Sequence, residues 1–511
     1  MTIRATRRLA RTVQALMLAF VTFGAAALAS SNPESLDQSL LTAEDVRADL
    51  DALYAGLEAA HYDLFAHRSR QEYDTLYETL KASIQGPMPR LEALRLLQRF
   101  AAFGDVAHAR IDLPAHYWSE YRQGGGRALP IYPRIIDGRV YVGEYYARTR
   151  SEPGVQAPLL EDDDQVTAIE GEPVAAWLTR LGQYHAADTD YMLHSFLERT
   201  FPRDLWLELG DVDAVTLTVQ SKTGDRRVVQ VPTMDSETLS RLIEATAPRF
   251  ELDYGRSFRI EGGVAILRPG PFFNINDPAD PWNTTAFLAF LNDAFTQILD
   301  AGVVDLIIDL RDNPGGDNSF SDPLVAWFAD KPFRFASYFE VRSSHAAERA
   351  NAERLAGPAV DENSVSARYA RAYAETEAGE TFVLEIDEVQ PRQERRFTGR
   401  VWVLVNRRSY STAVTTAALI QDYEFGTIIG EPTSDFATTY GAMEHFELPH
   451  SGIRVGFPKA LIVRPSGDRS PGGVVPDRVI ETPLVPGTED EVMAAALRLI
   501  AAADPDSGEH P

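Results

Sequence analysis

Apolar and polar positions change period three times along this chain, and each change marks a new structural unit. From Leu41 the period is helical. Thr42 and Asp45 have the spacing of a capping box, and Val46, Leu50, Leu53, Tyr54 and Leu57 fall on one face. Further helices are predicted over 71–84 and 89–103, giving an N-terminal helical module over 41–115. Over 130–235 the pattern shortens into strands of an α+β segment, with a strand at Gln165–Ile169, a Glu-Gly turn and an amphipathic helix from Val174. The third unit, 256–485, alternates strands and helices. It begins with a strand over Phe258–Leu267, followed by a Pro- and Asn-rich loop. A helix capped by Asn283 comes next, presenting Phe287, Leu291, Phe295, Ile298 and Leu299 on one face. Six apolar positions set among two aspartates, Val303 to Leu310, read as a buried strand, and a helix is predicted over Pro323–Ala329. A charged, Ala-rich stretch at 345–380 interrupts the alternation as a helical insert, either a lid or a solvated flap. A second buried strand, Val401–Val405, leads through a polar turn into a helix from Thr412. Strand, helix, strand in repetition predicts an α/β class.

The first thirty residues follow another rule. A basic start, an apolar run from about Val13 and the small-residue site Ala27-Leu28-Ala29 form the three parts of a cleavable secretory signal over 1–29. The mature chain is therefore expected outside the cytoplasm, periplasmic or secreted, with no stable membrane insertion after cleavage. Removing that segment takes away Arg4, Arg7, Arg8 and Arg11 and no acid, moving the formal charge from −26 to about −30. Such a charge argues against nucleic acid as a partner. The chain has no cysteine, which excludes disulfides, thiolate metal sites and a cysteine nucleophile. Its ten histidines form no HExxH pair or close cluster with carboxylates, so neither a metal nor another cofactor is expected.

Candidate chemistry collects at the ends of the two buried strands. Arg311-Asp312-Asn313-Pro314-Gly315-Gly316 is a turn whose glycines allow backbone N–H groups to approach a ligand unobstructed. Arg311 and Asp312 read as a strand-end salt bridge, and Asn313 as a shaper of the loop. Ser411, at the start of the second helix, sits where the macrodipole and unpaired amides favour an activated hydroxyl, although capping alone explains a serine there. His108, between Ala107 and Ala109 in the turn closing the helical module, is a candidate base. A buried histidine bonded to its own backbone is the competing reading.

DLRDNPGG, NRRSYSTA, GEPT and GGVVPD, in this order between Asp309 and Asp477, resemble the serine peptidase family of tail-specific (C-terminal processing) proteases and the tricorn core. The segment 159–181 likewise resembles the centre of a PDZ-type module, in which a strand and a helix frame an extended peptide. The resemblance implies a crotonase-like ββα-superhelix catalytic core, with the helical module and PDZ-like segment before it, acting on peptide or protein substrates near their carboxyl ends. It implies Ser411 as nucleophile, with the amides of Thr412 and of Gly315 or Gly316 as oxyanion donors. Two positions depart from the Ser/Lys branch of the family: Phe436 stands where that branch has lysine, and Val414 where it has glutamate three residues after the serine. The base is then expected to be His108, whose turn GDVAHAR is similar to the histidine turn of other branches. Asp105 and Glu444 are candidates to orient it. The same departures suit a catalytically idle relative that binds a peptide or apolar ligand, and an esterase or amidase using the same serine. The oligomeric state is not legible.

Overall fold

The computed structural model describes residues 40–111, 115–147, 159–245, 250–252, 254–356 and 364–503. The signal segment read over 1–29 lies outside them. No helix among the described residues is long and apolar enough to cross a membrane.

The helical module forms because three amphipathic stretches, each with a clear start, share one core. Helix α1 (Ala43–Ala60) is capped by Thr42, whose hydroxyl accepts from Asp45 N while Asp45 accepts from Thr42 N. The predicted apolar face is buried through Val46, Leu50, Leu53 and Leu57. Helix α2 (Arg70–Ser83) has the same box, made by Ser69 and Glu72, and α3 (Arg90–Ala102) completes the group. Buried Gln98 on α3 accepts the amide of Ile111 at 3.0 Å and donates to Tyr184 O, so the chain following the His108 turn is pinned to the module.

The second unit is an antiparallel sheet ordered β1 (Ile131–Ile136), β2 (Arg139–Tyr145), β3 (Gln165–Ile169), β4 (Ala214–Gln220), β5 (Arg226–Pro232). Helices α4 (Val174–Gly182) and α5 (Asp190–Leu209) share its apolar core, and Trp177 Nε1 donates to Ile169 O at 2.9 Å.

The third unit is centred on a sheet ordered β6 (Ser257–Glu261), β7 (Val264–Arg268), β8 (Asp305–Asp309), β9 (Arg400–Val405), β10 (Thr427–Gly430), β11 (Arg478–Val479), parallel from β7 onward. The predicted strand Phe258–Leu267 is in fact a hairpin: Gly262 and Gly263 both take positive φ, 58° and 83°, and fold β7 back on β6. Helix α6 runs Thr285–Ala301, with Asn283 Oδ1 accepting the amide of Thr285. The next helix, α7, is Asn318–Val325 rather than Pro323–Ala329, because Asp317 accepts Ser319 N at 2.9 Å and starts the turn earlier.

A smaller sheet carries β12 (Tyr338–Arg342), β13 (Thr381–Val383), β14 (Thr439–Glu447) and β15 (Arg454–Val463), with Arg110–Ile111 paired to Val455–Gly456 at its edge. The insert is helical, α8 (His345–Leu355) and α9 (Val365–Glu375), but the described part is no solvated flap. Tyr369 and Tyr373 are buried in the same core as the N-terminal module, and Lys459 Nζ lies 4.0 Å from the centre of the Tyr369 ring.

Candidate active site

The site grows from two parallel strands that end side by side. Strands β8 and β9 are in register from Asp305/Arg400 to Asp309/Leu404, so their C-terminal loops emerge together at one edge of the sheet. Leu310 N donates to Leu404 O, Asp312 N to Asn406 Oδ1, and Tyr410 N to Asn313 O, lacing the two loops. Ser409 is internal to this lacing. Its hydroxyl donates to Leu310 O at 2.8 Å and accepts from Asn406 N, which leaves Ser411 as the partly exposed serine.

Ser411 heads helix α10 (Thr412–Asp422) with φ 52° and ψ −125°. Left-handed backbone at a non-glycine residue costs roughly 1–3 kcal/mol and persists only where the surroundings enforce it. The hydroxyl makes no capping bond to the helix, so capping does not account for this serine. The Gly-Gly loop presses against it. A Cβ on Gly315 (φ 84°) would lie 2.6 Å from Tyr410 O and 2.8 Å from Thr412 N, and one on Gly316 (φ 143°) 2.0 Å from Phe272 O. Only glycine allows this approach.

The candidate donors are not equivalent. Gly315 N is already engaged by Asn313 Oδ1 at 2.9 Å, and Asn313 Nδ2 holds Gly270 O at 2.8 Å. Among the described residues, the amides of Gly316 and Thr412 donate to no protein acceptor.

His108 arrives from the far end of the sequence. Its Nε2 lies 3.4 Å from Ser411 Oγ, and its ring stacks on Tyr410 at 5.0 Å between centroids. Tyr410 OH donates to Ala107 O at 3.2 Å, and the edge strand Arg110–Ile111 ties the following residues to β15. The imidazole is buried. Burial pushes its pKa down to about 3, the charge of Arg110 acting in the same direction, so the ring is neutral at ordinary pH. Its Nδ1 has no hydrogen-bond partner among the described residues.

Neither acid expected behind the ring is there. Asp105 is held by Arg68, with Nε at 2.9 Å. Glu444 is buried in a triple with Lys459, at 2.7 Å, and Arg354; burial alone would raise its pKa, but the two cations hold it below the ordinary value. Arg311 and Asp312, in the turn beyond the strand, do not pair with each other either. Arg311 binds Asp309 and Asp490, whereas Asp312 accepts from Asn406 Nδ2 and lies 3.6 Å from Arg408.

One residue of the site escaped sequence reasoning. Asp435 is fully buried in the turn after β10, and its carboxyl accepts the amide of Ser411 in a short hydrogen bond. Burial, reinforced by the like charge of Asp188, pushes its pKa up to about 8. Its only sequence signal is its place beside Phe436, the position at which the Ser/Lys branch has lysine. Among the described residues no group of three or more histidine or acidic side chains is placed to hold a metal ion.

Residues 284–480 match peptidase family S41. That segment contains Ser411, both glycines and Asp435, but not His108. No curated protein matches the chain. Among solved structures it is similar to mature CPAF complexed with lactacystin, at 16% identity and TM-score 0.57, covering 86% of this chain and 94% of that one. Mature CPAF alone gives 17% identity and TM-score 0.55, covering 86% and 92%. The photosystem II D1 C-terminal processing protease gives 14% identity and TM-score 0.41, covering 85% and 93%. At these identities the CPAF likeness speaks for the fold alone. The chain carries a serine-type peptidase domain of family S41 over residues 284–480.

Proposed function

We propose that this chain is an exported peptidase that cleaves peptide bonds with Ser411 as nucleophile and His108 as general base. One observation carries the reading: Nε2 of His108 stands 3.4 Å from Ser411 Oγ although 303 residues separate them in sequence. A serine hydroxyl is a weak nucleophile until a base within hydrogen-bond reach takes its proton. The buried, neutral imidazole can do so as Oγ attacks the substrate carbonyl carbon. The oxygen of that carbonyl becomes the oxyanion, received by the amides of Thr412 and Gly316. When the tetrahedral intermediate collapses, the C–N bond breaks and the imidazolium returns its proton to the departing amine. Water, deprotonated by the same ring, then hydrolyses the acyl-enzyme. No cofactor enters these steps.

The parallel sheet with its intervening helices is read as the crotonase-like core. Strand β3 and helix α4 are read as the PDZ-like frame for an extended peptide substrate. Export follows from the signal read over 1–29.

A fluorophosphonate probe tests the mechanism. The wild-type chain should label, and Ser411→Ala should not. His108→Ala should label more slowly by the ~10²- to 10⁴-fold typical of a lost general base. An unlabelled wild type under conditions where other serine hydrolases react would favour the idle binding relative, and an unchanged rate in His108→Ala would remove the histidine from the mechanism. Hydrolysis of a peptide library compared with ester substrates separates peptidase from esterase.

A further inference from the structure

The proposed mechanism uses Ser411, His108 and two amides, yet the most deeply buried acid at the site has no part in it. Asp435 accepts two backbone amides: that of Ser411, and that of Phe436 at 3.0 Å. Its own turn is rigidly held. Thr433 Oγ1 donates to Asp435 O at 3.1 Å and accepts from Val474 N, while Ala437 N donates to Gly472 O. Among the described residues no lysine, arginine or histidine lies within ion-pair distance of the carboxyl. The titratable groups around it are Asp188, on the segment leading into α5 and itself 3.5 Å from His67, and Tyr410, which feels Arg110 as well as both acids. Beyond the Tyr410 ring lies His108.

An ordinary ion pair would explain a buried acid, but there is none here. What the carboxyl does hold is the amide of Ser411, a non-glycine residue with strained, positive-φ backbone. Ser411 at φ 52° needs its surroundings to maintain that geometry, and the bond to Asp435 fixes the peptide entering it. We propose that Asp435 is a positioning residue for the nucleophile: by holding Ser411 N–H, it maintains the left-handed turn that keeps Oγ at His108 and the Thr412 amide at the oxyanion. This rests on Ser411 being the nucleophile.

The charge state of the carboxyl agrees with this role. An anion one residue from the oxyanion would oppose the developing negative charge. With its pKa up at about 8, Asp435 is mainly uncharged at neutral pH and holds the amide without that opposition. The sign follows: protonated below about pH 8, it supports the reaction; ionised above it, it opposes the oxyanion, so the labelling rate should fall on the alkaline side.

The test is fluorophosphonate labelling of the mature chain at saturating probe, from pH 6 to 10, for wild type, Asp435→Asn, Asp435→Ala and Ser411→Ala, with thermal unfolding of each. Asparagine keeps one carbonyl oxygen for Ser411 N–H, gives up the bond to Phe436 N and cannot ionise. Asp435→Ala should lose ~10- to 10²-fold in the saturated rate, with half-saturating probe concentration within about twofold of wild type, as expected of a misplaced reacting group. Asp435→Asn should recover most of that rate and lack the alkaline fall near pH 8. An alanine variant as fast as wild type, or an asparagine variant as slow as alanine, overturns the proposal. Should alanine fail to fold, asparagine decides: loss of the alkaline fall supports the role and its persistence overturns it. Labelling that persists in Ser411→Ala overturns the nucleophile and the role of Asp435 with it. Labelling confined to Ser411 but indifferent to Asp435 overturns only the latter.

Discussion

Replacing Gly315 by alanine isolates the closest approach in the site. Gly315 has φ 84°, and Gly125, in an exposed turn just after the helix Ala115–Gln123, has φ 90°. An alanine at either pays the same left-handed penalty, about 1–2 kcal/mol. They differ in what the new methyl meets. At Gly125 nothing lies within 4 Å, whereas at Gly315 the Cβ would sit 2.6 Å from Tyr410 O and 2.8 Å from both Ser411 Cβ and Thr412 N. Ordinary contact begins near 3.4 Å, so the Ser411 turn must retreat by several tenths of an ångström to about 1 Å. Displacement on that scale costs ~10²-fold in rate when it separates reacting groups. Overpacking a rigid site adds roughly 1–3 kcal/mol of instability beyond the backbone penalty. Gly315→Ala should therefore fall well below Gly125→Ala in the urea midpoint of unfolding and label with fluorophosphonate ~10²-fold more slowly, while Gly125→Ala labels as wild type. If the two variants share a midpoint and Gly315→Ala labels within about twofold of wild type, the close apposition of the two loops is not what shapes the site.

Acid should weaken the fold through its buried histidines. His61 and His108 are both pushed down to about 3 by burial, against about 6.5 in an unfolded chain. Between these values the unfolded state binds protons that the folded state refuses, so stability present above pH 6.5 is lost as pH falls towards 3. At pH 5 each contributes a loss of about 2 kcal/mol. Urea unfolding at pH 7 and 5 checks this: His108→Gln should show a drop smaller than wild type by about that amount, and an equal drop would contradict the burial of the ring. Arg407→Met removes the cation between Glu198 and Glu431, with Arg407 Nε 2.7 Å from Glu431, and should cost about 3 kcal/mol in urea unfolding because Glu198 stays buried and Glu431 only partly exposed. Lys459→Met leaves Glu444 to Arg354 alone and takes a cation from beneath Tyr369. It should lower the melting temperature and speed proteolysis within 345–375, whereas unchanged proteolysis would show that this triple does not anchor the insert.

The strand ends are legible because burial on both faces leaves a mark in the sequence: Leu306, Ile307 and Ile308 are all fully buried, although a strand, a turn and Gly-Gly alone equally describe an ordinary connection. The α1 capping box was equally visible, since it depends on residues three apart. The failures share a cause. The apolar pattern continues across the Gly262-Gly263 hairpin and so reads as one strand, and Pro323 reads as a helix start although Asp317 starts the helix earlier. The charges of the insert suggest a lid or a solvated flap, while the two tyrosines that bury it depend on a sheet supplied by residues 338–463. Asp435 was invisible for a stronger reason: a lone acid in a turn has no period, and its meaning lies entirely in the amide it meets.

His108 raises a different point, because the same burial that makes it available also limits it. A pKa near 3 keeps the imidazole neutral and able to accept a proton, but it equally says that the imidazolium formed during attack is poorly stabilised where it sits. A buried acid bonded to Nδ1 would correct this, and both candidates are committed elsewhere, Asp105 to Arg68 and Glu444 to Lys459 and Arg354. The compensating charge must then come from the reaction. In the proposed mechanism, the carbonyl oxygen gains a negative charge at the Thr412 and Gly316 amides as Ser411 Oγ loses its proton to His108, 3.4 Å away. Beside an imidazole as buried as that of His108, such a pair attracts more strongly than it would in bulk water. Proton transfer uncoupled from attack is disfavoured, and transfer concerted with oxyanion formation is not. On this physical chemistry the base is poor in the resting enzyme and adequate only while a substrate carbonyl is being attacked, which is why an uncharged Asp435 next to the oxyanion matters more here than a charged acid behind the ring.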